Sequence, residues 1–228
     1  MRRFCTGANG IQAVLFDLDG TLVDSAPDLA AAVETMRQAR GMTPIALGNY
    51  RHMAGAGARG MLGIGFGIEP EDKRYAALRE EFFSNYERCL TERTHPFPGV
   101  PELIHRLLDS GLLWGVVTNK VTRFSAPLTK SLGLFESASV VISGDTTAHP
   151  KPHPLPLLEA ARLMGLSPQA CMYVGDDRRD VLAGRAAGMP TVVASYGYLG
   201  AESDFSSWGA DASIDRADQL LDLLELSC

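Results

Sequence analysis

Several features that define other classes of protein are missing from this sequence. Its 228 residues contain no stretch that approaches the roughly 18 consecutive apolar residues of a membrane-spanning helix. The arginines at positions 2 and 3 are followed by FCTGANG, which is too short and too polar for the apolar region of a signal peptide. We therefore expect a cytoplasmic protein that has no membrane partner.

Paired cysteines and basic clusters are also missing. The cysteines at positions 5, 89, 171 and 228 show no Cys-x-x-Cys spacing, so we expect reduced thiols rather than a zinc knuckle or a redox pair. Acidic residues number 27 against 21 basic ones, the net charge is −6, and no basic run exceeds two residues. A nucleic-acid partner is therefore not expected, and a small-molecule partner fits better.

What the sequence does contain is an alternation of short apolar runs with helical patterns. The apolar runs predict buried strands at 11–16, 112–117, 138–142, 171–174 and 191–194. Helical patterns, each ending before a glycine, lie at 101–110, 122–132, 154–164 and 178–187. This alternation predicts an α/β fold, Rossmann-like and doubly wound, with a mostly parallel sheet covered by helices on both faces.

The segment between the first two predicted strands interrupts the alternation and is typical of helices. Ser25 and Asp28 have the spacing of a capping box, and Pro27 lies in the first turn that follows. A later apolar stripe with helical spacing consists of Tyr75, Leu78, Phe82, Tyr86 and Leu90. We predict an all-helical cap over residues 26–95, inserted into a catalytic core of residues 1–25 and 96–228.

Polar residues follow the predicted strands of the core. In open parallel sheets, ligands bind beyond the carboxyl ends of the strands, where such residues meet. Each of these residues alone is an ordinary turn residue, but together they place carboxylates, a hydroxyl and an ammonium group in one crevice. In chain order they are Asp17 and Asp19, Thr118 and Asn119, Lys151, and Asp176 and Asp177.

Charge crowding at this edge of the sheet indicates a bound cation. Two carboxylates about 4 Å apart repel by about 4 kcal/mol at an effective dielectric constant of about 20. Asp17, Asp19 and Asp176 are therefore not expected to stay ionised together without a dication. Oxygen ligands with room for water and substrate phosphate favour Mg²⁺ over zinc.

Four motifs resemble those of the haloacid dehalogenase superfamily in their order and spacing. They are DLDGT at 17–21, VVTN at 116–119, KPHPLP at 151–156 and GDDRRD at 175–180. The resemblance covers nearly the whole chain, and the helical insertion after the first motif resembles the C1-type cap of that superfamily. It implies a phosphatase that works through an aspartyl-phosphate.

The resemblance also implies roles for individual residues. Asp17 is the implied nucleophile that attacks phosphorus, and Asp19 is the implied general acid and then general base. The implied ligands of Mg²⁺ are the Asp17 carboxylate, the Asp19 backbone carbonyl and Asp176.

Further residues have implied roles in binding the phosphoryl group. Thr118 and the Asn119 amide are expected to donate hydrogen bonds to phosphoryl oxygens, and Lys151 is expected to offset negative charge. Asp180 matches the second acid of GDxxxD and is expected to orient Lys151 or a metal-bound water, unless it is only an acid in the first turn of a helix. Asp177 is a weaker candidate of the same kind.

Within the predicted cap, residues 55–60 match the dinucleotide fingerprint GxGxxG. No apolar strand precedes the match, so a dinucleotide site is not expected, and we interpret it as a small-residue connection between helices. His52 and Arg59 flank or lie in this connection. They are candidates for contacts to the leaving group of the substrate when the cap closes.

Other functions on the same fold remain alternatives. A dehalogenase needs neither Asp19 nor a metal, and a P-type pump needs membrane spans. A phosphomutase is still open, as is a non-catalytic binding protein, although no chemical group of the motifs is missing. Among phosphatases the pattern is most similar to phosphoglycolate phosphatases, and segments 112–120, 175–188 and 196–211 also resemble N-acetylmuramic acid 6-phosphate phosphatases.

Overall fold

The computed structural model describes residues 3–201 and 204–225. Arg2, Cys228 and part of the segment 196–211 lie outside the described residues. The described strands are β1 (Phe4–Cys5), β2 (Ala13–Phe16), β3 (Val23–Asp24), β4 (His95–Pro96), β5 (Leu113–Val117), β6 (Val140–Ile142), β7 (Cys171–Gly175), β8 (Thr191–Ala194), β9 (Ala212–Ile214) and β10 (Leu224–Glu225).

The α-helices of the described residues fall into an inserted group and a core group. The inserted group is α1 (Ala26–Gln38), α2 (Leu47–Arg51), α3 (Gly57–Phe66) and α4 (Tyr75–Cys89). The core group is α5 (Val100–Asp109), α6 (Thr122–Ser131), α7 (Leu155–Leu163), α8 (Arg178–Ala187) and α9 (Leu220–Leu223).

The central sheet has six parallel strands in the order β6-β5-β2-β7-β8-β9. The α/β prediction is therefore confirmed, and its five strands occur close to the predicted positions. β9 was not predicted, because a three-residue edge strand with only one buried side chain leaves no apolar run in the sequence. From β2 the chain moves to β5 and β6 and then returns to β7 on the other side, which makes β2 the topological switch point.

Both faces of the sheet are covered by apolar packing. In β2, Ala13 and Leu15 join one buried cluster, while Val14 and Phe16 join the other, as the period of two in a strand requires. Leu157 of α7 and Ala183 of α8 belong to the first cluster. The second, larger cluster contains residues of α5, α6 and α9 and continues into the inserted helices.

The inserted helices leave and rejoin the core through β3 and β4. These two strands pair antiparallel, with Val23 opposite Pro96 and Asp24 opposite His95. Asp28, at the start of α1, accepts hydrogen bonds from the backbone N–H of Arg93 at 3.0 Å and of Thr94 at 2.9 Å. The two crossings between core and insertion are thus bound to each other.

Two local predictions were wrong. Ser25 and Asp28 do not form a capping box, because the Ser25 hydroxyl donates to Asp19 and the Asp28 carboxylate binds residues 93 and 94. Gly133 does not end α6 directly, since the helix stops at Ser131 and Leu132 is already extended. The other predicted glycine stops, at 111, 165 and 188, have positive φ angles.

Two further sequence features can be compared with the described residues. Cys5, Cys89 and Cys171 are free thiols in the structure. No helix among residues 3–201 and 204–225 combines the length and apolar character that crossing a bilayer requires.

Candidate active site

Asp17 lies where β2 ends, at the switch point of the sheet. Its backbone N–H still donates to Val174 on β7 at 2.9 Å, so the strand geometry fixes the position of its side chain. Carboxylate oxygens of Asp17, Asp176 and Asp180 all lie within 4.8 Å of one another. The structure therefore brings acids from β2, β7 and the start of α8 into one cluster.

The DLDGT turn fits tightly against Asp176. Gly20 has a φ of 89°, and a Cβ atom there would lie 2.1 Å from Oδ2 of Asp176, so this position requires glycine. Thr21 Oγ1 donates to Oδ1 of Asp176 at 3.0 Å, and the backbone N–H of Tyr198 donates to Oδ2 at 2.7 Å. Neither Thr21 nor Tyr198 was predicted as part of the site.

The acidic cluster carries more negative than positive charge, since three carboxyl groups share the single ammonium group of Lys151 among the described contacts. Burial raises the pKa of Asp17 to about 6, with repulsion from Asp180 adding to it and Lys151 opposing it. Burial, and then repulsion from Asp17 and Asp180, also raises the pKa of Asp176 well above its usual range. Oδ1 of Asp17 is buried, and the polar partner that the described part of the chain gives it is Nζ of Lys151 at 2.8 Å. This all-oxygen donor set fits a hard dication such as Mg²⁺.

Lys151 is the cation that the structure does place in the cluster. Its side chain is 2% exposed, and Nζ lies 2.8 Å from both Oδ1 of Asp17 and Oδ1 of Asp180. Nζ also donates to Tyr173 Oη at 2.7 Å and to the carbonyl of Val117 at 3.0 Å. Burial opposes the charged form, but the attraction of Asp17 and Asp180 outweighs it and raises the pKa of Lys151.

The residues after β5 hold the lysine loop in place. The Asn119 side chain donates to the carbonyl of Lys151 and accepts from its N–H, both at 2.9 Å. The Lys151-Pro152 peptide in this loop is cis. Thr118 is buried beside the loop, and its Oγ1 accepts a hydrogen bond from the N–H of Lys120 at 3.1 Å. The Asn119 side chain thus positions Lys151.

Asp180 lies in the first turn of α8 and also contacts Lys151, so it fits both of the roles that the sequence left open. It closes a capping box at the start of α8, with Oδ2 accepting from the N–H of Asp177 at 3.0 Å. Its other oxygen contacts Lys151. A Cβ atom on Gly175 would lie 2.3 Å from Oδ2 of Asp180, so glycine is needed before the motif as well. Asp177 is the N-cap residue of α8 and also binds the guanidinium of Arg179.

Asp19 points away from the acidic cluster. Its Oδ1 accepts a hydrogen bond from Ser25 Oγ at 2.5 Å, and both carboxylate oxygens lie 3.1 Å from Lys120 Nζ. Lys120 in turn donates to Tyr86 Oη on α4 at 2.9 Å. Ser25, Lys120 and Tyr86 were not predicted as site residues.

A cavity of about 220 Å³ lies between the strand ends and the inserted helices. Asp17, Asp19, Lys151 and Asp180 line its core side. Its other walls are the rings of Phe82, Phe83, Tyr86 and Phe124 and the small residues of segment 54–58. One ligand in this cavity would therefore meet charged groups at one end and apolar rings at the other.

The expectation that His52 and Arg59 contact the leaving group when the cap closes stays a prediction. Neither residue lines the cavity. Arg59 has a side chain 68% exposed and lies 3.4 Å from Glu69, because it falls on the outer face of α3. The backbone of segment 54–58 lies at the cavity instead, and Arg179 of the core donates to the carbonyl of Gly55 at 2.9 Å.

Comparisons with known proteins agree with this architecture. A family model of haloacid dehalogenase-like hydrolases matches residues 11–188. An N-acetylmuramic acid 6-phosphate phosphatase of Pseudomonas aeruginosa is 39% identical over 94% of this chain and 95% of its own, and a phosphoglycolate phosphatase of Xanthomonas campestris is 45% identical over 92% and 94%. A crystal structure described as that of a predicted phosphoglycolate phosphatase from Haemophilus somnus 129PT superposes with a TM-score of 0.81 at 26% identity, covering 93% of this chain and 97% of that one.

The fold and the site define a hydrolase with an acidic centre at the switch point of a doubly wound sheet. The chain belongs to the haloacid dehalogenase-like hydrolase family, and it is a phosphomonoester hydrolase.

Proposed function

We propose that this protein is a Mg²⁺-dependent phosphatase that hydrolyses a small phosphorylated metabolite through an aspartyl-phosphate on Asp17. The observation that carries the proposal is the position of Asp17, which lines the cavity, lies 2.8 Å from Nζ of Lys151 and has a carboxylate oxygen within 4.8 Å of one of Asp176. The proposed place of action is the cytoplasm, which the cysteine spacing of the sequence supports.

In the first half of the proposed reaction, a carboxylate oxygen of Asp17 attacks phosphorus. The bond between phosphorus and the leaving oxygen breaks, and Asp19 gives its proton to that oxygen. Lys151 offsets the negative charge on Asp17 and the phosphoryl group, while Thr118 and the N–H groups beside it bind phosphoryl oxygens. Fixed donors of this kind supply much of the catalysis in phosphoryl transfer.

In the second half, Asp19 is a carboxylate and takes a proton from water. The water oxygen attacks phosphorus, the bond to Asp17 breaks, and inorganic phosphate leaves. The residues that would hold Mg²⁺ are Asp17, Asp176 and the backbone carbonyl of Asp19. When bound, Mg²⁺ supplies positive charge that neutralises the phosphoryl oxygens.

Binding of Mg²⁺ is expected to stabilise the protein more at neutral than at acidic pH. A cation at about 100-fold its Kd stabilises by about 2.7 kcal/mol, which at about 2–4 °C per kcal/mol raises Tm by about 5–10 °C. The raised pKa values mean that the carboxyl groups of Asp17 and Asp176 can stay protonated in the folded protein at pH values where they are ionised in the unfolded chain. Without metal, this contribution to stability is therefore lost as pH rises from the ordinary value of 3.8 through about 6.

Mg²⁺ needs the ionised carboxylates, so protons compete with it below about pH 6. Thermal unfolding with and without Mg²⁺, at about pH 7.5 and about pH 5, measures the difference directly. The Asp176→Asn variant should lose most of the shift. A shift that is equal at both pH values, or that persists in this variant, would contradict the assignment of the site.

The first candidate substrate is 2-phosphoglycolate, which is supported by the relative that is 45% identical over 92% of this chain. The size of the cavity favours N-acetylmuramic acid 6-phosphate as a second candidate. A volume of about 220 Å³ that reaches the rings of Phe82 and Phe124 exceeds the needs of a two-carbon acid. Both compounds carry a carboxylate besides the phosphate, and a cavity-lining cation for such a group besides the two buried lysines is Arg179, which also pairs with Asp177.

A phosphate-release screen in Mg²⁺ distinguishes these candidates. It compares kcat/KM for 2-phosphoglycolate, glucose 6-phosphate and N-acetylmuramic acid 6-phosphate, with N-acetylglucosamine 6-phosphate as the matched compound that lacks the lactyl carboxylate. We expect one of the two carboxylate-bearing compounds to exceed glucose 6-phosphate by at least about 100-fold, equivalent to about 2.7 kcal/mol. Release of phosphate from none of them would contradict the proposed function, and isomerisation of glucose 6-phosphate without phosphate release would indicate a mutase.

A further inference from the structure

Lys120 occupies an unusual place between the core and the inserted helices. It follows Asn119 after β5, and its side chain is only 7% exposed. Its ammonium group lies 3.1 Å from both oxygens of Asp19, 2.9 Å from Tyr86 Oη and 4.8 Å from the centre of the Tyr86 ring. A second buried lysine, Lys151, already serves the nucleophile, so Lys120 has a different partner and a different task.

The described side-chain partners of the Asp19 carboxylate, Ser25 and Lys120, each connect it to an inserted helix. Ser25, which donates to Asp19, directly precedes α1. Lys120 connects the same carboxylate to Tyr86 in the last turn of α4. The orientation of the proposed proton donor is therefore set by groups at two ends of the inserted helices rather than by the sheet alone.

The Tyr86 end of this connection is rigidly held. The Tyr86 ring stacks on Phe82 with a centroid distance of 6.0 Å and an interplanar angle of 1°, and it also packs against Phe124 of α6 at 5.3 Å. Arg123 of α6 binds Glu87 of α4 through two hydrogen bonds of 2.6 and 2.8 Å. α4 is thus fixed against the helix that begins two residues after Lys120.

We propose that Lys120 is a positioning residue for Asp19, and that Tyr86 holds Lys120 in place so that packing of α4 over the cavity aligns the proton donor with the leaving group. This proposal rests on the proposed function, because it assigns proton donation to Asp19. If Lys120 instead bound the phosphoryl group, its loss would slow the reaction of every phosphate monoester alike. The proposed role also differs from binding of a substrate carboxylate, which would matter only for substrates that carry one.

The experiment compares two substrates of nearly the same shape, phenyl phosphate and p-nitrophenyl phosphate. Phenolate is a poor leaving group and needs a proton from Asp19, whereas p-nitrophenolate leaves readily without one. The ratio of their kcat/KM values reports only steps up to departure of the leaving group, so the later role of Asp19 as a base does not enter. Neither substrate carries a carboxylate.

In Lys120→Met we expect kcat/KM for phenyl phosphate to fall by about 100-fold and that for p-nitrophenyl phosphate by less than about 10-fold, within the range that general acid catalysis contributes. Tyr86→Phe keeps the ring packing and should shift the same ratio in the same direction by about 3-fold, roughly the effect of one lost hydrogen bond. The double variant should be no worse than Lys120→Met alone, because both changes act through one contact. Lys130→Met, on the exposed side of α6, should match the wild type.

An equal fall for both substrates in Lys120→Met and Tyr86→Phe would overturn the proposal and indicate phosphate binding or a structural role. An unchanged ratio would overturn it as well. If Lys120→Met does not fold, Tyr86→Phe still decides, since it removes only one hydroxyl. Failure of the proposed function is recognised separately, as the absence of Mg²⁺-dependent hydrolysis of p-nitrophenyl phosphate by the wild-type protein.

Discussion

Asp17→Asn is expected to abolish phosphate release while leaving the protein folded. An amide in place of the carboxylate removes the attacking oxygen, and loss of a nucleophile lowers turnover by at least about 10⁴-fold. The fold should tolerate the change, because burial already disfavours the charge and raises the pKa of Asp17 to about 6. Lys151 keeps Asp180, Tyr173 and the Val117 carbonyl as partners. The free energy of unfolding should stay within about 1 kcal/mol of the wild type.

The measurement for Asp17→Asn combines hydrolysis of p-nitrophenyl phosphate with urea unfolding of the same preparations. Asp109→Asn is the matched control, because its side chain is 61% exposed and pairs only with His105 among the described contacts. Acid-quenched wild-type protein should carry one covalent phosphoryl group by mass spectrometry, and the Asp17 variant should carry none. Wild-type turnover or a retained phosphoryl group in that variant would contradict the mechanism.

The central sheet was predictable because its strands are buried on both faces. Such strands appear in the sequence as unbroken apolar runs, and the run that ends at Phe16 is followed at once by Asp17. Polar residues that follow parallel strands lie at one edge of the sheet. The proximity of Asp17, Lys151 and Asp176 could therefore be predicted from their positions directly after predicted strands. β9 escaped notice because an edge strand of three residues carries no such run.

The cap side of the site was not predictable from local patterns. Lys120 and Tyr86 are separated by 34 residues, and Arg179 and Gly55 by 124. Contacts of this kind depend on how the inserted helices dock, and helix periodicity reports only which face is apolar. The error at Ser25 has a related cause. A serine before a helix has the pattern of an N-cap. Here the Ser25 hydroxyl donates its hydrogen bond to Asp19, which the DLDGT turn brings close, and not to the backbone of α1.

Arg59 illustrates the same limit. Its position in a glycine-rich connection suggests a substrate contact on cap closure, which stays a prediction, and in this structure the first turn of α3 directs it outward to Glu69. Lys120 was missed for the opposite reason, because it directly follows the VVTN motif and no pattern marked it as different from an exposed lysine. A buried lysine is informative only once its carboxylate partner is known, and that partner lies 101 residues away.

Lys151→Met is expected to lower both turnover and stability. Without the ammonium group, negative charge on the phosphoryl group and on Asp17 is no longer offset, and loss of one such group costs about 10²–10³-fold in kcat. Removing one member of a buried ion pair also costs about 3–5 kcal/mol in the free energy of unfolding, since Asp17 and Asp180 lose their shared partner. Lys130→Met, an exposed change on α6, should alter stability by less than about 0.5 kcal/mol.

The loss of stability in Lys151→Met should depend on pH in a defined direction. Without the lysine, the folded-state pKa of Asp17 rises further above the value of about 6, so the carboxyl takes up a proton as pH falls and the uncompensated charge disappears. Urea unfolding should therefore show a larger loss at about pH 8 than at about pH 5. Adding Asp180→Asn should recover part of the loss, because it removes the second uncompensated acid while an amide oxygen can still accept from the N–H of Asp177. A loss that is equal at both pH values and unaffected by Asp180→Asn would mean that Lys151 stabilises the fold through packing rather than through its charge.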